Sequence, residues 1–176
     1  MYKVEKNLTL TGMMGVGKTT IGKRLAKKLK YNFIDIDKII EKKEGQSISS
    51  IFKNKGENYF RKVEKEITLL QLKKINSVIS LGGGAFLNNS IRKYTDKYSI
   101  SFWLDVSLET LLKRLKKSKN RPLLNNDNKN FEIKKLYFLR RKFYKDANYK
   151  IKCDKLTLKQ ILEKIMGMYE ISRNKI

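Results

Sequence analysis

The sequence predicts an α/β fold, a parallel sheet of five strands wrapped by helices on both faces. Three observations lead there. Short β-prone segments alternate with longer stretches of helical periodicity along the whole chain, glycine-rich turns follow the first and third strands, and 176 residues suit one domain with a sizeable core.

Each element has its own reason. The first strand is expected at Asn7–Thr11, ending at a glycine loop, and a helix starts at about Lys18, where Ile21, Leu25 and Leu29 repeat at helical spacing. "YNFIDID", 31–37, reads as a second strand with acids at its C-terminal end. The stretch that follows reads as helices broken near Gly45 and Gly56. "SVISLGGG" is a third strand running straight into three glycines, and "YSISFWLDV", 98–106, a fourth, followed by a helix from about Leu108 to Lys116. Residues 118–130, "SKNRPLLNNDNKN", form the one long polar stretch, hold the only proline and are expected to be a mobile loop. A helix from about Phe131 to Lys145, a fifth strand at "YKIKC", a last helix from Thr157 to about Met168 and a frayed tail over 169–176 complete the chain, read as a single domain, 1–176. Sheets of this kind bind ligands beyond the C-terminal ends of their strands, which is where the glycine runs and the acids of 35 and 37 fall.

Composition removes several function classes. The chain has no histidine, so it has no His-based triad and no zinc site of the usual kind, and its one cysteine, Cys153, cannot form an internal disulfide. No run approaches the roughly 20 apolar residues of a membrane helix, and the N-terminal stretch does not read as a signal peptide. A cytoplasmic protein without a membrane partner is expected. The net charge of +24 invites a nucleic-acid reading, but its distribution argues otherwise: of 41 basic residues 33 are lysines, scattered along the whole chain. With only three alanines and one proline, the pattern fits codon drift in an AT-rich genome, and the eight arginines are then the informative cations.

Gly12, Gly17, Lys18 and Thr19 satisfy G-x-x-x-x-G-K-[ST] between a strand and a helix. Backbone N–H groups of such a loop wrap a phosphate, the helix N-terminus adds partial positive charge, Lys18 reaches the β- and γ-phosphates and Thr19 can ligate Mg²⁺. Gly15, Val16 and Thr20 complete the nucleotide-binding run. The loop names ATP and not the acceptor. Asp35 and Asp37, two apart near a strand end, are expected to take separate jobs, one toward a metal and the other toward an acceptor; from spacing alone Asp37 reads equally as a helix N-cap. Glu57 and Arg61 read equally as an exposed i, i+4 ion pair. Three consecutive glycines, Gly82, Gly83 and Gly84, favour close approach of a ligand or of another backbone.

Together, "GMMGVGKTTIGKRLAKKL", "FIDIDKIIEKKEGQSISSIFKNKGENYFRKVE", "VISLGGGAF", "RPLL" and "RRKFY" resemble the shikimate kinases over roughly 7–165. The resemblance implies a P-loop NTPase fold of the nucleoside-monophosphate-kinase type, with a five-stranded parallel sheet, a shikimate-binding subdomain at about 37–65 and a mobile lid at about 118–130. It also implies an enzyme of aromatic amino-acid biosynthesis, acting as a monomer, that transfers the γ-phosphoryl of ATP to the 3-hydroxyl of shikimate with Mg²⁺. In that frame Asp37 corresponds to the acid that holds the acceptor hydroxyls and takes the proton. Arg61 and Arg140 correspond to the carboxylate clamp, and Gly82, Gly83 and Gly84 line the acceptor. Thr19, with Asp35 acting through water, corresponds to the magnesium site. Arg121 corresponds to the lid arginine over the phosphates, Arg114 to one against the adenine, and Glu64 to a residue orienting Arg61. The family usually places a small residue and a proline after the second clamp arginine, where this chain has Arg141, Lys142 and Phe143; counting back four from Tyr144 favours Arg140 over Arg141.

Two other readings stay open at this point. One is a related small-metabolite kinase of the gluconate or nucleoside-monophosphate type, although the gluconate type usually carries a histidine near the second strand. The other, from a different class, is a nucleic-acid-binding ATPase, motivated by the charge.

Overall fold

The computed structural model describes residues 6–116 and 127–174. Its centre is a five-stranded, wholly parallel sheet in the order β2-β3-β1-β4-β5, formed by β1 (Asn7–Thr11), β2 (Asn32–Asp35), β3 (Ser77–Ser80), β4 (Ser99–Asp105) and β5 (Tyr149–Lys152). The three inner strands are buried at every residue, as a parallel sheet covered on both faces requires, while the two edge strands are partly open. Seven helices are described: α1 (Lys18–Leu29), α2 (Ile36–Glu44), α3 (Ile48–Leu72), α4 (Asn89–Tyr98), α5 (Leu108–Lys116), α6 (Asp127–Tyr144) and α7 (Leu158–Asn174). Leu8, Leu10, Val78, Ile79, Phe102 and Leu104 are among the residues the sheet contributes to the core.

The topology creates the site. β1 lies between β3 and β4, so the chain leaves the middle of the sheet in the phosphate loop, with the turn after β3 on one side and the end of β4 on the other. The amide of Leu81 donates to the Leu10 carbonyl at 3.0 Å, which draws the three glycines alongside that loop. On the other side β4 presses so close that a Cβ on Gly12 would lie 2.8 Å from the Leu104 carbonyl oxygen. Only glycine fits there.

Several expectations need correction. β2 ends at Asp35, not at residue 37. Asp35 is the N-cap of α2, its side chain accepting from the Lys38 amide, and Asp37 sits in the first turn. The cap is therefore Asp35 rather than Asp37, and the two acids diverge because strand gives way to helix between them, not because of a strand period. The expected break at Gly56 is present as a kink within α3 (φ 80°, ψ 169°), and Gly45 ends α2. Residues 85–98, for which no helix was expected, hold a short 3-10 turn, Ala85–Leu87, and α4, capped by Asn88. Only Ile91 and Thr95 of α4 are buried, too few to print a clear helical stripe. The tail does not fray at 169: α7 runs to Asn174, and the buried Tyr169 donates its hydroxyl to the Lys6 carbonyl across the sheet end. The expected lid and Arg121 lie outside the described residues, apart from 127–130, which form the first turn of α6.

Candidate active site

The phosphate loop closes on itself. Lys18 Nζ donates to the carbonyls of Gly12 and Met13 at 2.8 and 3.0 Å, so its ammonium lies inside the curl of the loop. Gly17, in the left-handed region at φ 99°, caps α1 and turns its N-terminus toward the loop. Thr19 and Thr20 are exposed in the first turn. Thr19 Oγ1 donates to Asp35 Oδ2 at 2.8 Å, so the two expected magnesium ligands touch across α1 and β2. Hydroxyl and carboxylate oxygens suit that hard cation. No cluster of three or more His, Cys, Asp or Glu side chains able to hold a metal occurs among the described residues. Arg114, exposed on α5, donates to the Val16 carbonyl at 3.3 Å and ties that helix to the loop. Across the loop's rim, Gly15 packs under Leu115.

Beside the loop, the three glycines make room for charged groups, two at Gly82 and one each at Gly83 and Gly84. A Cβ on Gly82 would lie 2.6 Å from Glu64 Oε1 and 2.7 Å from Asp37 Oδ1. On Gly83 it would lie 3.1 Å from Arg140 Nη1 and 3.4 Å from the Met14 amide nitrogen. On Gly84 it would lie 2.4 Å from Arg61 Nη1 and 2.6 Å from Nη2. The run thus gathers two carboxylates and two guanidiniums, contributed by α2, α3 and α6, within reach of the phosphate loop.

These charges are held tightly. Arg61 donates from Nη1 to Glu64 Oε2 at 2.7 Å, and from Nε and Nη2 to Glu57 Oε1 at 3.2 and 3.1 Å. Its guanidinium also lies over the rings of Phe52 and Phe60. The i, i+4 pair with Glu57 is present, and the same guanidinium faces Gly84. Glu64 is buried, and burial pushes its carboxyl above the ordinary range; Arg61 and Arg140 pull it back and Asp37 adds to the rise. Arg140 is 7% exposed, and its Nε has no hydrogen-bond partner, so a buried cation stands over the glycines with donor capacity to spare.

Arg141 goes elsewhere. It pairs with Asp105 at the end of β4, donates to the Tyr137 hydroxyl at 2.5 Å and stacks over Trp103 and Tyr137. The register favoured by counting from Tyr144 is the one that faces the glycine run. Sequence reasoning missed two participants. Glu57 was visible only as an ion-pair partner, and Tyr144 only as a landmark in "RRKFY". The Tyr144 hydroxyl donates to the Gly83 carbonyl at 2.5 Å.

A phosphate loop at the centre of a parallel sheet, beside a cluster of carboxylates and fork-shaped cations, is the arrangement of a P-loop kinase. A deoxyadenosine kinase from M. mycoides with bound dATP, 20% identical with a TM-score of 0.63 over 93% of this chain and 99% of that one, shares the fold. The chain belongs to the shikimate kinase family: the family model described as Shikimate kinase matches residues 14–170. A shikimate kinase of Sulfurihydrogenibium is 45% identical over 92% of this chain and 96% of its own length. A solved structure of shikimate kinase from Acinetobacter baumannii in complex with shikimate is 32% identical, with a TM-score of 0.88 over 99% of this chain and 97% of that one.

Proposed function

We propose that this protein transfers the γ-phosphoryl group of ATP to the 3-hydroxyl of shikimate, giving shikimate 3-phosphate and ADP. The observation that carries the reading is the glycine run with Asp37, Arg61, Glu64 and Arg140 around it, alongside a complete phosphate loop. Shikimate offers a carboxylate and three hydroxyls. Arg61 and Arg140 supply planar forks for the carboxylate, Asp37 accepts from the hydroxyls, and the glycines let the ring approach the backbone. As the acceptor oxygen bonds to phosphorus, the bond from phosphorus to the β,γ-bridging oxygen breaks, ADP carries away those electrons, and the hydroxyl proton passes to Asp37.

In such a transfer the protein chiefly positions reactants and stabilises spreading charge, so Lys18 and the loop amides carry more of the rate than the base does. Thr19 and Asp35 would hold Mg²⁺, whose chemistry when bound is to offset charge on the phosphates. Gly12, Gly15, Val16, Gly17 and Thr20 face the nucleotide in this reading, and Arg114 lies toward its base. The family resemblance alone assigns Arg121 to the phosphates, 37–65 to an acceptor subdomain and 118–130 to a lid. Both halves of the site come from one chain, so a monomer suffices for the proposed reaction. No helix among the described residues is long and apolar enough to cross a membrane.

The test is a coupled ADP assay with ATP, Mg²⁺ and a panel of acceptors. ADP release that depends on shikimate, and not on gluconate, nucleoside monophosphates or RNA, is the expected result. Absence of shikimate-dependent release overturns the reading.

A further inference from the structure

Tyr144, the last residue of α6, belongs to neither half of the site, yet its hydroxyl sits where the two halves meet. Its side chain is fully buried. The hydroxyl donates to the Gly83 carbonyl at 2.5 Å and lies 3.7 Å from Met13 Sδ in the phosphate loop. One helical turn earlier, on the same face of α6, Arg140 places Nη1 3.1 Å from where a Cβ on Gly83 would stand, and its charge lies beside the tyrosine oxygen. Burial pushes the Tyr144 hydroxyl up to about 12, against the pull of Arg140, so it remains a protonated donor at any working pH. The other flank of the helix is pinned by Arg141 on Asp105 and Trp103. The Trp103 ring also packs against that of Tyr144 at 5.9 Å.

A run of three glycines offers no side chain by which the fold could hold it. Its backbone is the only handle, and the Gly83 carbonyl is the part that Tyr144 grips. We propose that Tyr144 is a positioning residue whose hydroxyl fastens the acceptor-side glycine run to the phosphate loop and presents Arg140, thereby setting how the two substrates face each other. It acts through Gly83 and Arg140, since a fully buried side chain has no surface to offer a substrate. The inference rests on the acceptor reading proposed above. Removing the hydroxyl alone leaves a buried carbonyl without its partner and loosens the side of the site that holds the acceptor.

The experiment is Tyr144→Phe, which keeps the ring and its packing, run beside the wild-type protein with steady-state kinetics for both substrates. The same preparations are titrated with shikimate while the emission of Trp103, the single tryptophan, is followed. The expected result is a loss of about tenfold or more in kcat/KM for shikimate, with KM for ATP changed by less than about threefold. The Trp103 titration should move to higher shikimate concentration by a matching factor. Because that titration reads only folded protein, partial unfolding does not imitate the result. Wild-type constants with merely a lower melting temperature, or equal losses for both substrates, overturn the inference while leaving the acceptor reading intact. A wild-type protein without shikimate-dependent ADP release removes the acceptor reading and this inference with it.

Discussion

In the proposed reaction the phosphate loop and the acceptor cluster both receive anions, and they are built in opposite ways. The loop is one stretch, residues 12–20, that works through backbone amides, a helix N-terminus and a single lysine folded onto its own carbonyls. The cluster takes Asp37 from α2, Arg61 and Glu64 from α3, the glycines from the turn after β3 and Arg140 from α6, and works through side chains. Backbone recognition satisfies itself locally. Side-chain recognition by planar forks requires charges to be buried together, and the strain of that shows in the raised carboxyl of Glu64 and the unpartnered Nε of Arg140. The difference teaches that the donor half is nearly self-contained, whereas the acceptor half depends on the whole fold.

That contrast is open to test, beginning with the largest expected effect. Lys18→Met should lower kcat by about 10²–10³-fold, the scale of losing one charge-stabilising donor, while shikimate affinity measured by calorimetry stays near the wild-type value. An equal fall in shikimate affinity would break the separation of the two halves. Arg61→Ala should do the converse, raising the KM for shikimate by about 10²-fold with little change for ATP, as removal of one member of a buried charge pair does. Gly84→Ala sharpens the point without touching a charge. The new Cβ would stand within 3 Å of the Arg61 guanidinium, so about a tenfold loss of shikimate affinity is expected, with ATP binding retained.

A smaller effect concerns pH. With its folded-state pKa raised above the ordinary 4.5, Glu64 makes the folded protein bind more protons than the unfolded chain between those two values. Its contribution therefore lowers stability as pH rises through that window, and the loss is complete above the raised value. Glu64→Gln should flatten this part of the melting-temperature profile relative to wild type; parallel profiles would show that Glu64 titrates normally. Smallest of all, Gly167→Ala on α7 meets nothing within 4 Å and should raise the melting temperature by about 2–4 °C without altering either KM, because it only restricts the unfolded chain. A change in shikimate KM from that distant site would undo the picture of a cluster held by its own neighbours.

The limits of what could be read follow the same division. β1, α1 and α5 fall where periodicity places them, because apolar spacing and the glycine loop are local signals. α4 escaped notice because its buried face is two residues wide. The N-cap fell on Asp35 rather than Asp37 because capping depends on where the strand stops, and propensity does not fix that within two residues. In "RRKFY", two adjacent arginines are equivalent as letters. α6 turns one toward the glycines and the other toward Asp105, some 100° apart on the helix.

By itself, then, the sequence determined the alternation of strands and helices, the phosphate loop, and the residue types an acidic polyol would need, since each is written in neighbouring positions. Only the tertiary structure decided which carboxylate meets which glycine, which arginine faces the glycine run, and that one tyrosine hydroxyl reaches both the Gly83 carbonyl and Met13. Those contacts link residues from elements far apart in the chain, and packing of the sheet, rather than any local preference, brings them within hydrogen-bond reach.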